Sequence, residues 1–128
     1  MGEAKRTGTR RDYPVKGGQY IAGNAVVMLA AGLAVGFASA AATDICAGVS
    51  NLGVDNTAGF DGETRIGVEV GEHKFLNSGD IANADVGADA FFVDERTLSM
   101  SSATNTRPKA GVITQIDDDG VWVSLGIK

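Results

Sequence analysis

The chain has 128 residues, of which 44% are hydrophobic and 18 are glycine, and its formal net charge is −5. This length fits one domain with a modest core. Glycine at about twice its ordinary usage disfavours a helical bundle, because each interior glycine costs a helix about 0.5–1 kcal/mol. The single cysteine, Cys46, excludes an internal disulfide framework and favours assembly inside a cell, and we interpret it as a small buried hydrophobe.

The charge is distributed unevenly along the chain. Residues 1–16 carry five basic and two acidic side chains, a net of +3, whereas the remaining residues carry 6 basic and 14 acidic side chains, a net of −8. This asymmetry predicts an extended basic arm over residues 1–12, joined to a single β-rich domain over residues 13–128. The alternative is a terminus without a role. The candidate contacts of the arm with an acidic partner surface are Arg6, Arg10, Arg11, Tyr13 and Lys16.

The stretch from Ile21 to Thr43 contains no charged residue and allows three interpretations. Its length is enough for a membrane-spanning helix, which needs about 20 apolar residues, and it contains the small-residue spacing Gly32-x-x-x-Gly36. It also ends in Ala38-Ser39-Ala40, a tripeptide of the kind that signal peptidase cuts. A β-hairpin is the third interpretation.

We favour the hairpin, with strands over Ala25–Leu29 and Leu33–Ala38 and a turn over Ala30–Gly32. The valines of this stretch are β-branched and favour strands, while its glycines are poor helix formers. Short connections that contain glycine are typical of hairpins. The residues that follow continue in the same style, as short apolar runs separated by glycine and aspartate.

The middle of the chain predicts further strands. Ile45–Asn56 reads as a strand followed by a turn at Asp55-Asn56. In Thr64–Leu76, apolar and polar residues alternate with period two, which predicts a strand with one solvated face. We interpret His73 as a solvated residue of this strand. Ser78–Ala88 breaks the alternation and predicts a single helical turn, capped by Ser78 or Asp80 and ended by Gly87.

The last third predicts three strands. Ala90–Met100 is expected to turn at Asp94-Glu95, and a polar loop over Ser101–Pro108 follows. Ala110–Ile116 and Val121–Ile127 then form a hairpin, with positive φ angles at Asp119-Gly120. One face of its second strand is expected to consist of Val121, Val123, Leu125 and Ile127. The predicted fold class is therefore all-β: a compact β-barrel or β-sandwich of short strands with one short helical turn and an extended N-terminal arm.

Residues that could carry catalysis are scarce. There is one histidine and one cysteine, and the sequence contains no G-x-S-x-G elbow, G-x-G-x-x-G motif or phosphate loop. The run Asp117–Asp119 reads as a turn, because consecutive strand-like residues cannot all direct their carboxylates at one metal ion. The acidic body would repel nucleic acid. We therefore predict that the protein is not an enzyme, holds no metal or cofactor, and binds neither nucleic acid nor a membrane.

The C-terminal half, Asp80–Gly126, resembles the capsid decoration proteins of tailed bacteriophages, also called head cement proteins. The motifs that carry the resemblance occur in the family's order: Asp85-Val86-Gly87, Phe92-Val93-Asp94, Thr97-Leu98-Ser99, Ala110-Gly111-Val112-Ile113 and Asp117 to Val123. Upstream, the runs Tyr20–Ala40 and Ile45–Thr64 also look like such proteins, so that the similarity covers most of residues 13–128.

The resemblance implies a β-rich structural protein that binds the outside of an assembled head and reinforces contacts between major capsid protein subunits. Such proteins are often trimers at local threefold axes, although some bind as monomers or dimers, so a homo-oligomer is expected on the virion surface after assembly in the host cytoplasm. The longer basic arm is a departure from the family pattern. Two other hypotheses remain: a membrane-anchored or secreted envelope protein that uses residues 21–43 as anchor or signal, and a ligand-binding β-barrel.

Overall fold

Twelve β-strands and two 3-10 turns make up the regular structure of the computed structural model, which describes residues 10–125. The all-β prediction is confirmed. In chain order the strands are β1 (Arg10–Pro14), β2 (Gln19–Ile21), β3 (Val26–Ala30), β4 (Leu33–Gly36), β5 (Ile45–Ser50), β6 (Val54–Asn56), β7 (Arg65–Glu69), β8 (Gly71–Asn77), β9 (Asp89–Asp94), β10 (Thr97–Ser99), β11 (Lys109–Asp117) and β12 (Gly120–Leu125).

The N-terminal half forms a five-stranded antiparallel sheet in the order β1-β7-β5-β3-β4. Val15, just after β1, bridges to Ala34 of β4, so the sheet curls back on itself. Strands β2 and β6 form a separate two-stranded ribbon beside it. A first apolar cluster fills the curl: Val15, Ile21, Val27, Leu29, Ala34, Ala47, Ile66 and Val68.

The C-terminal half forms a closed barrel in the order β10-β8-β12-β11-β9. Its pairs are antiparallel except for the short parallel pair of β10 with β8. Phe92 lies at its centre, with the rings of Phe37 and Phe75 edge-on at centroid distances of 5.3 and 5.6 Å. The cluster around it includes Leu98, Ile113, Val121, Val123 and Leu125. Val121, Val123 and Leu125 therefore share the buried face predicted for them, while Ile127 lies outside the described residues.

Strand β3 is shared between the two cores. Val27 and Leu29 point into the N-terminal cluster, whereas Val26 and Met28 pack against the barrel. A strand that is covered on both faces reads as a continuous apolar run, which explains the stretch that suggested a membrane span. The hairpin interpretation is confirmed, with β3 and β4 joined by Ala31-Gly32. Within residues 10–125, no helix is long and apolar enough to cross a membrane.

Three of the sequence-based boundaries differ from the structure in a way that changes the assignment of strands. The arm was expected to end at residue 12, but Arg10 already begins β1, because residues 10–14 pair along their whole length with β7. Asp55 and Asn56 are not a turn but strand residues opposite Tyr20 and Gln19. The single strand expected over Thr64–Leu76 is two strands in different sheets, because Gly71 adopts a φ of 97°, a left-handed conformation that redirects the chain.

Two local predictions were wrong in detail. The helical turn predicted within Ser78–Ala88 is present as a 3-10 turn over Asn83–Asp85, but the carboxylate of Asp85, which accepts the N–H of Ala82 at 2.8 Å, holds it rather than a cap from Ser78 or Asp80. A second 3-10 turn, over Phe37–Ser39, was not predicted. The β11–β12 turn consists of Asp118 and Asp119, and neither they nor Gly120 have a positive φ. Gly120 is needed for close approach instead, because its backbone lies against β8.

Candidate functional site

Three large apolar side chains on the β2–β6 ribbon or in the turns that flank β6 are not buried. Tyr20 of β2 is 61% exposed, whereas its neighbour Ile21 is buried in the N-terminal core, so the alternation of the strand turns Tyr20 outward. Leu52, just before β6, is 78% exposed, and Phe60, in the loop after β6, is 81% exposed. We call Tyr20, Leu52 and Phe60 the apolar ribbon.

The loop that carries Phe60 is anchored by a buried amide. Asn56, 3% exposed, directs its Nδ2 at the carbonyl oxygens of Val15, Lys16 and Phe60, at 3.1, 3.3 and 2.9 Å. Gly59 leaves room for this amide, since a β-carbon at Gly59 would overlap Asn56 Oδ1. Phe60 is therefore held by a fixed backbone, which lowers the entropy lost when its ring is covered.

The turn that carries Leu52 is anchored in the same way. Ser50 is buried, donates its hydroxyl to the carbonyl of Ala22 at 2.6 Å and accepts the N–H of Ala25 at 3.1 Å. The backbone of Gly23 packs against residues 51–53 so closely that a β-carbon there would meet Asn51 O at 3.2 Å. Both ends of the ribbon are thus rigid, while the side chains that they present lie in solvent.

An open groove of about 770 Å³ separates the N-terminal sheet from the barrel. One wall is formed by residues 22–26 and Val49, and the other by residues 73–76 of β8 together with Glu95, Arg96 and Asp119. Val26, Val49 and Phe75 give it apolar surface. His73 lines the groove and is not the solvated residue that the sequence predicted, because its Nε2 is buried and has no hydrogen-bond partner within residues 10–125.

Among residues 10–125, no strand lies beside part of the β8 edge that borders this groove. Leu76 donates its N–H to the carbonyl of Arg96 at 2.8 Å, on the side away from β12. Alternate residues of a strand direct their backbone groups to the same edge, so those of Lys74 and Glu72 point the same way. Within the described chain, β10 is the only strand on that edge and pairs only with Leu76 and Asn77. We call the groove and this segment of β8 the β8 edge groove.

Lys74 closes one end of the groove through the aspartates of the β11–β12 turn. A hydrogen bond to Asp119 raises the pKa of Lys74, and the same contact lowers the pKa of Asp119. Hydrogen bonds from Gln115 and from Trp122 Nε1, the latter 2.8 Å long, lower the pKa of Asp117, which also lies 3.5 Å from Lys74 Nζ. Asp117 and Asp119 therefore both form ion pairs with Lys74. Within residues 10–125, no group of three or more His, Cys, Asp or Glu side chains is placed to hold a metal ion.

A second groove, of about 420 Å³, lies between residues 42–46 and residues 109–112. Its rim carries the ion pair of Lys109 with Asp89 at 3.4 Å. Cys46 lies at its base and is 4% exposed within the barrel-side core, which confirms its interpretation as a buried hydrophobe.

The candidate arm residues that the structure describes differ in their exposure and in their partners. Arg10 is exposed and pairs with Glu69 at 3.1 Å, whereas Arg11 is half-buried and donates to the carbonyl of Arg10 at 2.8 Å. Tyr13 is half-buried against the N-terminal core, and Lys16 is exposed beyond the end of β1. Arg6 lies outside the described residues.

Sequence reasoning did not identify the apolar ribbon, although a signal for it exists. Leu52 stands in Asn51-Leu52-Gly53 and Phe60 in Gly59-Phe60-Asp61, each a single large apolar residue inside a turn. Turn residues lie at the surface, so a bulky apolar side chain at such a position has little chance of burial. Comparisons with protein families, with curated proteins and with solved structures gave no match.

Proposed function

We propose that this chain is a structural capsid decoration protein of a tailed bacteriophage, which binds the outer surface of the assembled head. It stabilises contacts between major capsid protein subunits mechanically, by bridging them, and it has no enzymatic role. The observation that carries the proposal is the apolar ribbon, in which Leu52 and Phe60 are about four-fifths exposed on anchored backbone. Large apolar side chains that stay exposed on a fixed backbone are candidates for an interaction surface.

The resemblance supports the same proposal. Its C-terminal motifs, from Asp85-Val86-Gly87 to the hairpin of Asp117 to Val123, lie within the C-terminal barrel or the turn that enters it, and the upstream runs that also resemble the family contain Tyr20, Leu52 and Phe60. The ribbon lies on the other half of the chain, in the segment between β1 and β7. In this proposal the barrel is the framework and the ribbon is the surface that contacts the shell.

A small contact per molecule is sufficient for stable binding when the same contact is repeated at several sites on the shell. The ribbon strands are three residues long, so Leu52 and Phe60 flank a segment of about 10 Å. Such a contact is weak for one molecule, but a homo-oligomer such as a trimer engages several equivalent sites at once, and its avidity exceeds the single-site affinity. The exposed cations Arg10 and Lys16 stay candidate contacts to acidic shell residues, together with Arg6. Assembly would occur in the host cytoplasm and the product would reside on the virion.

Heads of the phage that encodes the chain, purified from a mutant lacking this gene, test the proposal. The purified protein is mixed with them and the complexes are imaged by electron cryomicroscopy, with the intact mass of the bound chain measured on the same sample. We expect density at fixed lattice positions from a chain that retains residues 21–43. Bare heads, or a chain shortened near Ala40, would contradict the proposal and favour an envelope protein.

Surface variants test whether the apolar ribbon is the surface that contacts the shell. The double variant Leu52→Ser/Phe60→Ser is expected to weaken shell binding at least tenfold, because central apolar anchors dominate interfaces and about 1.4 kcal/mol gives a factor of ten. Val93→Ser is the matched control, since Val93 is also exposed but lies on the outer face of β9. Equal binding of the double variant and the control would exclude the ribbon as the contact.

A further inference from the structure

The segments that carry the apolar ribbon are acidic. Residues 17–24 contain no charged side chain, whereas residues 50–64 contain no basic side chain and three acidic ones: Asp55, Asp61 and Glu63. All three acidic residues are exposed, and within residues 10–125 none of them makes an ion pair. The exposed apolar side chains are therefore accompanied by negative charges that the described chain does not neutralise.

Asp55 lies on the same face of the β2–β6 ribbon as Tyr20. The two residues are directly opposite each other in the strand pairing, and the side chains of opposite residues share a face. The neighbours of Asp55 point the other way, since Val54 packs against the N-terminal core and Asn56 is buried. The hydroxyl of Thr57 and then its N–H lower the pKa of Asp55, so the carboxylate opposite Tyr20 is ionised at neutral pH.

Glu63 lies against the backbone of Phe60. Its Oε1 accepts the N–H of Phe60 at 3.3 Å, and its own N–H donates to the carbonyl oxygen of Phe60 at 3.1 Å. Asp61, the next residue, accepts the N–H of Gly17 through Oδ1 at 2.8 Å. Within the described residues, hydrogen bonds reach only one oxygen of each carboxylate. Two oriented carboxylates therefore adjoin Phe60, and each has an oxygen available to a donor from another molecule.

Aromatic rings and carboxylates attract the same kind of partner. An ammonium or guanidinium group is attracted to the face of an aromatic ring, and arginine forms paired hydrogen bonds with a carboxylate. A second copy of the chain is a poor partner, because residues 17–128 carry 6 basic and 14 acidic side chains, a net of −8, and like charges across an interface repel. The chemistry of these segments therefore favours an occupant with exposed lysine and arginine side chains.

We propose that the apolar ribbon docks on a basic patch of the major capsid protein, whose cationic side chains pair with the three carboxylates and cover the rings of Tyr20 and Phe60. The inference rests on the proposed function and adds the chemistry of the shell surface that the ribbon recognises. Arg10 and Lys16 stay candidate contacts to acidic residues elsewhere on the shell. The ion pairs orient the contact, and burial of the apolar side chains holds it.

Binding to heads purified from the mutant that lacks this gene tests the inference, at about 0.05 M and about 0.3 M salt. The decisive variant is Asp55→Asn/Glu63→Gln, because each amide keeps an oxygen for the local backbone N–H and only the charge is lost. The matched control is Asp94→Asn/Asp118→Asn, which removes two exposed carboxylates from the barrel half.

We expect the native chain and the control to bind alike, and both to bind more weakly as the salt concentration rises. The double variant Asp55→Asn/Glu63→Gln should bind about three- to tenfold more weakly than the native chain at low salt, because two exposed ion pairs are lost. Its binding should also depend less on salt, since fewer charges remain to be screened.

The outcomes separate this inference from the proposed function. Native protein that leaves the heads bare would overturn both. Native binding that is insensitive to salt, or a double variant that binds as strongly and with the same salt dependence as the native chain, would overturn the inference and leave the decoration function in place. Sedimentation of the free proteins tests the other occupant. A changed oligomeric state in the double variant would overturn the inference, since the ribbon would then contact a sister copy.

Discussion

The backbone of Gly120 lies against the carbonyl oxygen of Phe75, and a β-carbon built on Gly120 would be 2.6 Å from that oxygen. This close approach occurs where β12 begins its pairing with β8, so it fixes how the last hairpin seats in the barrel. A side chain at this position must push the two strands apart, because a backbone oxygen cannot move as a flexible side chain can.

Gly120→Ala is therefore expected to lower the free energy of unfolding by about 1–3 kcal/mol, the usual range for overpacking. Gly67→Ala is the control, since a β-carbon at Gly67 would lie 4.0 Å from its nearest neighbour, the carbonyl oxygen of Arg11, and Gly67 does not have a positive φ. Urea denaturation of both variants measures the difference. A Gly120→Ala protein as stable as Gly67→Ala would show that the β8–β12 contact is looser than described.

The Ala31-Gly32 turn offers a stabilising substitution. Both residues have positive φ, 52° and 86°, as a two-residue hairpin turn of the mirror-image type I′ requires. Alanine is a poor residue for that conformation, whereas asparagine tolerates it. We expect Ala31→Asn to raise the free energy of unfolding by about 0.5–1 kcal/mol and Ala31→Val to lower it. Thermal or urea unfolding with the opposite order would contradict the turn assignment.

Removal of the Asn56 amide is expected to release the loop of Phe60. Asn56→Asp is nearly isosteric but replaces the Nδ2 donors with an oxygen that faces three carbonyl oxygens. Leaving a buried polar group without its hydrogen-bond partner in this way lowers the free energy of unfolding by about 1–3 kcal/mol. Hydrogen exchange at residues 57–63 should speed up in Asn56→Asp and stay unchanged in Asn83→Ala, an exposed control. If shell binding is measured on the same variant, it should weaken together with the order of the loop.

Asp80 is expected to make stability depend on acid pH. Burial raises the pKa of this carboxyl, but hydrogen bonds from Ser99, from Ser78 and from the N–H of Met100 outweigh it, and the pKa is lowered overall. The folded-state pKa of Asp80 lies below its unfolded-state pKa of about 3.9. The contribution of Asp80 to stability is therefore complete at pH values above the unfolded-state pKa, and it is lost as the pH falls through the folded-state pKa.

Unfolding temperatures at pH 7 and near pH 3 measure this contribution. Asp80→Asn should be less stable than the native protein at pH 7, and the difference should shrink at the lower pH. Asn83→Ala, an exposed substitution that removes no titratable group, should show no such convergence. If the difference in unfolding temperature between Asp80→Asn and the native protein is the same at both pH values, Asp80 does not contribute to the loss of stability in acid.

The sequence by itself determined the features that depend on neighbours along the chain. Alternation placed Val121, Val123 and Leu125 on one buried face, and glycine near an apolar run marked the β3–β4 hairpin, because side-chain period and turn preference are properties of short segments. Burial of Cys46 followed from its residue type.

The tertiary structure decided what depends on distant partners. Gly71 splits one apparent strand between two sheets, and Val26 and Met28 are buried because the barrel covers the second face of β3. The amide of Asn56 holds Phe60 in solvent through carbonyls about forty residues away. Within residues 10–125, β10 pairs only with Leu76 and Asn77 of β8, because β10 is short. Contacts of this kind arise when segments far apart in sequence pack together, and a local pattern does not specify which segments will meet.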